Sequence, residues 1–219
     1  MEPMKPNQPA SDETTLLLQL AQQGDQEALG RIFERYHDRL LRIVTFRIDR
    51  RVAVRIDPAD VVQESYMEAL GRLPEYLRDP PLPLFVWLRF LTLQRLAMLH
   101  RHHLGVQARA ANREISLQQP IAAGATSAQL AARLLGEDTS PSQAAVEAER
   151  RARLQQVLDQ MDEVDREILT LRHFEQLTNL ETAQVLGLKP TAASNRYVRA
   201  IRRLKELLQQ TPPFGDSSP

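Results

Sequence analysis

Apolar residues recur at three- and four-residue spacing along almost the whole of this 219-residue chain, and no stretch alternates as a half-buried strand does. After Asp25, for example, Leu29, Ile32, Phe33, Tyr36, Leu40 and Ile43 fall on one helical stripe. The pattern lapses over 104–146, which is mostly Ala, Gln, Ser and Thr, carries Pro120 and Pro141 and has no aromatic residue. Such a chain can hardly build a sheet. The expected fold is all-α: two small helical domains, residues 12–103 and 147–211, joined by a flexible linker over 104–146. Within that linker "SAQLAARLL" could form a helical turn or two. Proline-rich ends, three prolines in the first nine residues and "TPPFGDSSP" at the other terminus, read as flexible tails.

Composition removes several function classes. Aromatics are 5% and glycines number eight, which disfavours β-sandwiches and glycine-loop nucleotide folds. Cysteine is absent, so disulfides and cysteine-based zinc sites are excluded and a reducing cytoplasm fits. No stretch approaches the roughly 20 apolar residues that span a bilayer. The first residues lack the sections of a signal peptide. A cytoplasmic protein with no membrane partner is expected.

Local punctuation marks the helices. Ser11 precedes acids and then "LLLQLAQQ", with Gly24 as a stop; Asp25 can cap the next helix. "DPAD" at 57–60 offers an Asp cap with proline at the first helical position. A fourth helix should start near Leu84, after the prolines of "RDPPLP".

The C-terminal unit carries a more specific grammar. Thr178 and Glu181 are spaced as a capping box, Gly187 sits where a tight turn needs positive φ, and Pro190 or Thr191 opens the next helix. Supporting helix, glycine turn and second helix make a helix-turn-helix. Ala192, Ala193, Ser194 and Asn195 should occupy the exposed first turn, where base edges are read. Arg196, Arg199, Arg202 and Arg203 suit phosphates further along, and Tyr197 could serve either surface or core. Six cations precede the next acid, Glu206, in a chain whose 28 bases and 28 acids balance. The plainer alternative is an amphipathic helix with a solvated basic face.

The N-terminal unit is divided by charge. Asp60, Glu64 and Glu68 share one face of the helix begun at Asp57, with Gln63 at its edge, whereas Val62, Tyr66, Ala69, Leu70 and Leu73 share another. From Arg89 to Arg113 come five arginines and three histidines with no acid until Glu114. Two unlike partners are implied, although a solvated acidic face is the common reading of the first pattern. His100 and His103 can approach each other on a helix, but no nearby carboxylate or cysteine completes a metal set; phosphate-facing or solvated histidines are the simpler reading. Phe85 and Trp87, after the proline-rich loop, are most simply core residues; the sharper reading is a platform on which single-stranded bases stack. No phosphate loop, metal set or nucleophile constellation points to an enzyme, and no cofactor is expected.

These pieces, in this order, resemble the bacterial sigma factors of the extracytoplasmic-function subfamily. "GDQEALGRIFERYHDRLL", "DPADVVQESYMEAL", "LFVWLRFLTLQRLAMLHR" and "MDEVDREILTLRHFEQLTNLETAQVLGLKPTAASNRYVRAIRRLKEL" carry the likeness, over most of 12–103 and 147–209. The resemblance implies a factor that binds core RNA polymerase, recognises a bipartite promoter and helps to melt it, without covalent chemistry. It implies clamp contacts at Asp60, Gln63 and Glu64, and it places the family's Trp-Leu pair on Trp87 and Leu88 and its helix-terminal Arg on Arg101; with Gln94 and Met98 on the same face, and Phe85 and Arg95 on the same helix, these are the candidates for the downstream element and melted strand. It places the family's recognition-helix Arg on Arg196 and its later Arg-Ala pair on Arg199 and Ala200; with Ala192, Ser194, Asn195, Tyr197, Arg202 and Arg203, read from the helix itself, these are the candidates for the upstream duplex. Gln94 and Met98 depart from the family's usual Asn and Asp, Ala193 and Ser194 from Val and Lys, and Thr182 from an apolar residue. Whether an anti-sigma factor is among the partners is left open. The rival reading is a helix-turn-helix regulator that does not act as a sigma factor.

Overall fold

The computed structural model describes residues 9–49, 52–103, 127–135 and 144–210. Among these residues the regular elements are all helical. The first four are α1 (Pro9–Gln22), α2 (Gln26–Arg47), α3 (Pro58–Arg78) and α4 (Leu84–His103). After them come α5 (Ser127–Leu135), α6 (Ala144–Asp159), α7 (Glu163–Leu169), a π-helical turn (Thr170–Phe174), α8 (Asn179–Val185) and α9 (Pro190–Gln210).

The caps read from the sequence are in place. Asp25 Oδ1 accepts from the Glu27 and Ala28 amides at 2.9 and 3.1 Å, and Asp57 Oδ1 accepts from Ala59 at 2.8 Å ahead of Pro58. Gly24 takes φ +90° between α1 and α2, the left-handed geometry a side chain resists. α1 begins at Pro9, two residues ahead of Ser11.

α1–α4 pack around one apolar core. Ile32, Leu40 and Ile43 of α2 meet Val61, Val62 and Ala69 of α3 and Leu84, Leu88 and Leu91 of α4. Stacked aromatics tie the layers: Phe33 on Tyr66 at 4.5 Å between centroids, and Tyr76 on Trp87 at 4.4 Å. Burial, and secondarily the neighbouring Tyr36, pushes the Tyr76 phenol up to about 12. Its hydroxyl donates to the Leu82 carbonyl at 2.9 Å, pinning the proline-rich turn that launches α4.

A second core joins α6, α7, α8 and α9 through Leu154, Leu158, Ile168, Ala183, Ala193 and Ala200. Leu130 and Ala131 of α5 belong to it as well. The expected linker therefore contains a packed helix of nine residues, more than the turn or two anticipated. Its "LAARLL" periodicity found a partner in the hydrophobic side of α6.

The two units touch. Phe46 of α2 lies in the second core and stacks on Phe174 at 5.1 Å, while Leu171 and Leu177 lie in the first.

Candidate nucleic-acid interface

Helices α8 and α9 build the helix-turn-helix. The capping box is reciprocal: the Glu181 amide donates to Thr178 Oγ1 at 3.2 Å, and the Thr178 amide donates to the Glu181 carboxylate at 2.7 Å. Gly187 makes the turn at φ +63°, and the Leu188 amide then donates to the Ala183 carbonyl at 2.8 Å. Thr182, where an apolar residue is usual, is fully buried and satisfied, its hydroxyl donating to the Thr178 carbonyl at 2.8 Å.

On α9 the buried positions are Ala193, Ala200 and Leu207, with Tyr197 and Leu204 partly buried between them. That spacing turns Ala192, Ser194, Asn195, Arg199, Arg202 and Arg203 to solvent. Ala193 is the correction to the expected exposed first turn: it is 0% exposed, so its departure from the family pattern concerns packing and leaves Ser194 on the outer face. Arg199 and Arg202 make no ion pair among the described residues; Arg203 lies 3.8 Å from Glu206.

Arg196 is differently employed. Its Nε donates to Asp165 at 2.7 Å and its Nη2 to Asp162 at 2.5 Å, fastening the recognition helix to the start of α7. Asp162 also caps α7, accepting from the Val164 amide at 2.9 Å. Tyr197 is half-buried, its hydroxyl 3.0 Å from His173 Nε2 and its ring 5.5 Å from the Arg172 guanidinium. Burial, and then the Arg172 charge, hold the His173 imidazole below its ordinary value. Neither side chain is free in the way Arg199 is.

In the N-terminal unit Asp60, Gln63 and Glu64 are exposed along α3, whose buried face is Val61, Val62, Ser65, Ala69, Leu73 and Tyr76. Leu70, expected with the apolar set, is 37% exposed. Glu64 accepts from Arg95 Nε of α4 at 2.5 Å, so the acidic and basic faces meet at one edge.

Phe85 and Trp87 are 3% and 5% exposed. Trp87 is covered by Tyr76, and the Arg39 guanidinium lies 3.5 Å above the Phe85 ring. The core reading of these two residues replaces the stacking platform: no ring face is available to a base in this conformation. On the outer side of α4, Gln94 is half-buried with its Oε1 lacking a hydrogen-bond partner, Met98 is 37% exposed, and Arg101 is exposed. His100 is half-buried and accepts from the Asp49 amide at 3.2 Å, and His102 is exposed. The side chain of His103 lies outside the described residues. Among the described residues no cluster of metal-ligating side chains occurs, and no helix is long and apolar enough to cross a membrane.

Sequence reasoning missed the densest electrostatic site. Glu175, fully buried, accepts from Arg47 Nε at 2.5 Å and from Arg89 Nε at 2.6 Å, and Arg47 Nη2 also donates to Glu167 at 2.5 Å. Burial alone would raise the Glu175 carboxyl, but the two guanidiniums outweigh it and hold the group well below the ordinary carboxylate range. Nothing local distinguishes Arg47, Arg89 or Glu175 from surface charges; only the tertiary fold brings them together.

A helical unit with exposed acidic and basic faces, followed by a helix-turn-helix with a polar first turn and exposed arginines, defines a DNA-reading transcription factor with more than one kind of partner. Known proteins sharpen that class. Residues 11–83 match the family model "ECF sigma factor", and residues 151–204 match "Sigma-70, region 4". The ECF RNA polymerase sigma factor SigD of Mycobacterium tuberculosis is 28% identical over 84% of this chain and 78% of its own length. BldN of Streptomyces coelicolor, another ECF RNA polymerase sigma factor, is 25% identical over 91% of this chain and 69% of its own. The structure of CnrH in complex with the cytosolic domain of CnrY has the same fold, with TM-score 0.51 and 24% identity, covering 91% of this chain and 99% of that one. The chain belongs to the extracytoplasmic-function sigma factors, transcription initiation factors that direct core RNA polymerase to promoters.

Proposed function

We propose that the labour is divided between residues 12–103 and residues 147–211. In the first, Asp60, Gln63 and Glu64 dock on the clamp of core RNA polymerase, supported by their exposure on a helix whose opposite face is buried. Gln94, Arg95, Met98 and Arg101 of α4 hold the downstream element as it melts, with Phe85 and Trp87 beneath them as the packing that sets α4. Gln94 is suited to this role because its buried carbonyl oxygen still lacks a donor. In the second, Ala192, Ser194 and Asn195 meet base edges of the upstream duplex, and Arg199, Arg202 and Arg203 meet phosphates. Arg196 and Tyr197 act from behind by fixing α9 on α7 and the π turn.

The mechanism is differential binding. A surface that prefers the unpaired strand shifts the equilibrium of the promoter towards its melted form, and no covalent step or cofactor is needed. The protein works in the cytoplasm, where the polymerase is. CnrH has been solved in complex with the cytosolic domain of CnrY, and an anti-sigma factor is the corresponding kind of partner for this chain.

One observation carries the proposal: the face of α9 left open by its buried stripe combines an uncharged first turn with Arg199 and Arg202, which make no ion pair among the described residues. Transcription from a promoter library with purified core polymerase tests it. Ser194 and Asn195 substitutions should change which upstream sequences are selected, while Arg202→Ala should lower use of all of them alike.

A further inference from the structure

A basic edge lies where the turn between α2 and α3 meets the end of α4. Asp49, at the start of that turn, donates its amide to His100 Nε2 at 3.2 Å, and Arg101 follows on α4. The turn is tightly bonded. The Val52 and Ala53 amides both donate to the Asp49 carbonyl at 3.0 Å, and the Arg55 amide donates to the Val52 carbonyl at 2.8 Å. Val52 and Ile56, 1% and 6% exposed, are sunk in the N-terminal core. Arg55 stands exposed beside them, as does Arg101 at the helix end.

The fold uses neither arginine. Arg55 and Arg101 make no ion pair among the described residues, and Asp57, two positions after Arg55, commits its Oδ1 to the Ala59 amide. The hydrogen bonds running from Arg55 through Val52 and Asp49 to His100 set the two arginines in one rigid frame, although they come from different segments. Cations held on one edge without a counter-charge attract an anion from outside. The aromatic rings of α4, Phe85, Trp87 and Phe90, are all buried. The edge therefore offers cations without a stacking surface, which suits the phosphates of a duplex better than splayed bases.

We infer that Arg55 holds a phosphate of the paired DNA bordering the element that Arg95 and Arg101 hold, which makes the α2–α3 turn a DNA-binding element beside α4 and α9. The inference rests on the reading that α4 holds the melted strand. Arg95 precedes Arg101 by roughly 9 Å of helix, at about 1.5 Å per residue. That rise spans about three base steps of ~3.4 Å. Beyond Arg101 the chain leaves α4 for the unit that reads the upstream duplex, so paired DNA belongs at this end and unpaired DNA at Arg95. Arg55 joins the edge at the paired end. A phosphate contact there is blind to sequence. It anchors the boundary between paired and unpaired DNA, and it weakens as salt rises.

The test uses the full chain with core polymerase and two templates made from a promoter recovered from the library. Both carry the downstream element premelted and stop short of the upstream element; one keeps a short duplex on the upstream side of the melted stretch, and the other has none. Binding is followed by fluorescence anisotropy at several salt concentrations. Arg55→Ala, at an exposed position that folding tolerates, should lower the salt slope by about one unit on the flanked template and leave it unchanged on the bare one. Arg55→Lys should keep the parent slope, because a phosphate also accepts a lysine. Val54→Thr, at the 94% exposed neighbour, alters the same turn without changing charge and should keep it too. An unchanged slope for Arg55→Ala on the flanked template overturns the inference. Equal loss on both templates overturns it as well, since Arg55 would then meet the single strand. So does weaker binding of polymerase in the absence of DNA, which would make the turn a polymerase contact. Arg95→Ala checks the reading beneath and should weaken binding to both templates. Full retention on both would contradict that reading and the inference together, whereas failure of Arg55→Ala alone leaves the reading of α4 intact.

Discussion

Arg95 of α4 donates to Glu64 of α3 at 2.5 Å, so one ion pair links the acidic face assigned to the polymerase with the basic face assigned to melted DNA. Both side chains are partly exposed, and the pair adds little to stability. Its effect is on function: each partner occupies a group that a ligand would use. A polymerase residue that engages Glu64 would free Arg95 for a phosphate. Glu64→Gln should therefore increase binding of single-stranded DNA by the polymerase-free protein, measured by fluorescence anisotropy at low salt, and the increase should vanish in the Arg95→Ala background.

Asp60 separates docking from folding. It is exposed and shares the face of Glu64, so Asp60→Lys should weaken core polymerase binding while changing stability by less than about 0.5 kcal/mol. Asp57, three residues earlier, caps α3 through the Ala59 amide, and Asp57→Ala should cost about 1 kcal/mol in denaturant melts. The affinity and stability assays should thus rank the two variants in opposite order.

These caps show what a sequence makes legible. Asp25, Asp57, Thr178 with Glu181, and Gly187 act on backbone within three or four residues, so their chemistry is written locally. The helix-turn-helix followed from them, as did the outer face of α9 apart from Ala193. The Glu175 cluster did not. Its members are 128 and 86 residues apart, and an arginine that will be buried looks the same in sequence as one that will be solvated. Trp87, read most simply as a core residue, is buried, although its cover by Tyr76 of another helix is tertiary information.

Arg196 and Arg202 look alike in sequence and should behave unlike each other. Arg196→Ala leaves Asp162 and Asp165 facing each other without their common partner, and should lower the stability of the C-terminal unit by roughly 0.5–1 kcal/mol. Arg202→Ala should leave stability unchanged and reduce duplex DNA affinity, with a salt dependence shallower by about one unit of slope. Thermal melts and anisotropy titrations at several salt concentrations distinguish them.

Acid should act on the contact between the two units through Glu175. Its folded carboxyl lies below the ordinary value near 4.5, so the contribution it makes is fully present above that pH and is lost as pH falls towards the depressed folded value. The stability of the parent, followed by denaturant melts, should therefore fall as the pH drops below about 4.5. In Glu175→Gln the part of that loss carried by Glu175 should be absent, while Glu167 and Glu181 keep their own partners Arg47 and Arg39.

The central claim is that one helix finds the promoter and another holds it open, and run-off transcription on duplex and premelted versions of one promoter tests it most directly. With core polymerase, the parent should initiate on both templates. Ser194 and Asn195 variants should lose most activity on the duplex and recover much of it on the premelted template, where locating and opening the site matter less. Arg95→Ala with Arg101→Ala should be impaired on both, because the exposed strand loses its cationic seat whether or not it was opened in advance. Equal activity of the Arg95/Arg101 variant and the parent on the premelted template, at equal polymerase occupancy, would contradict the account.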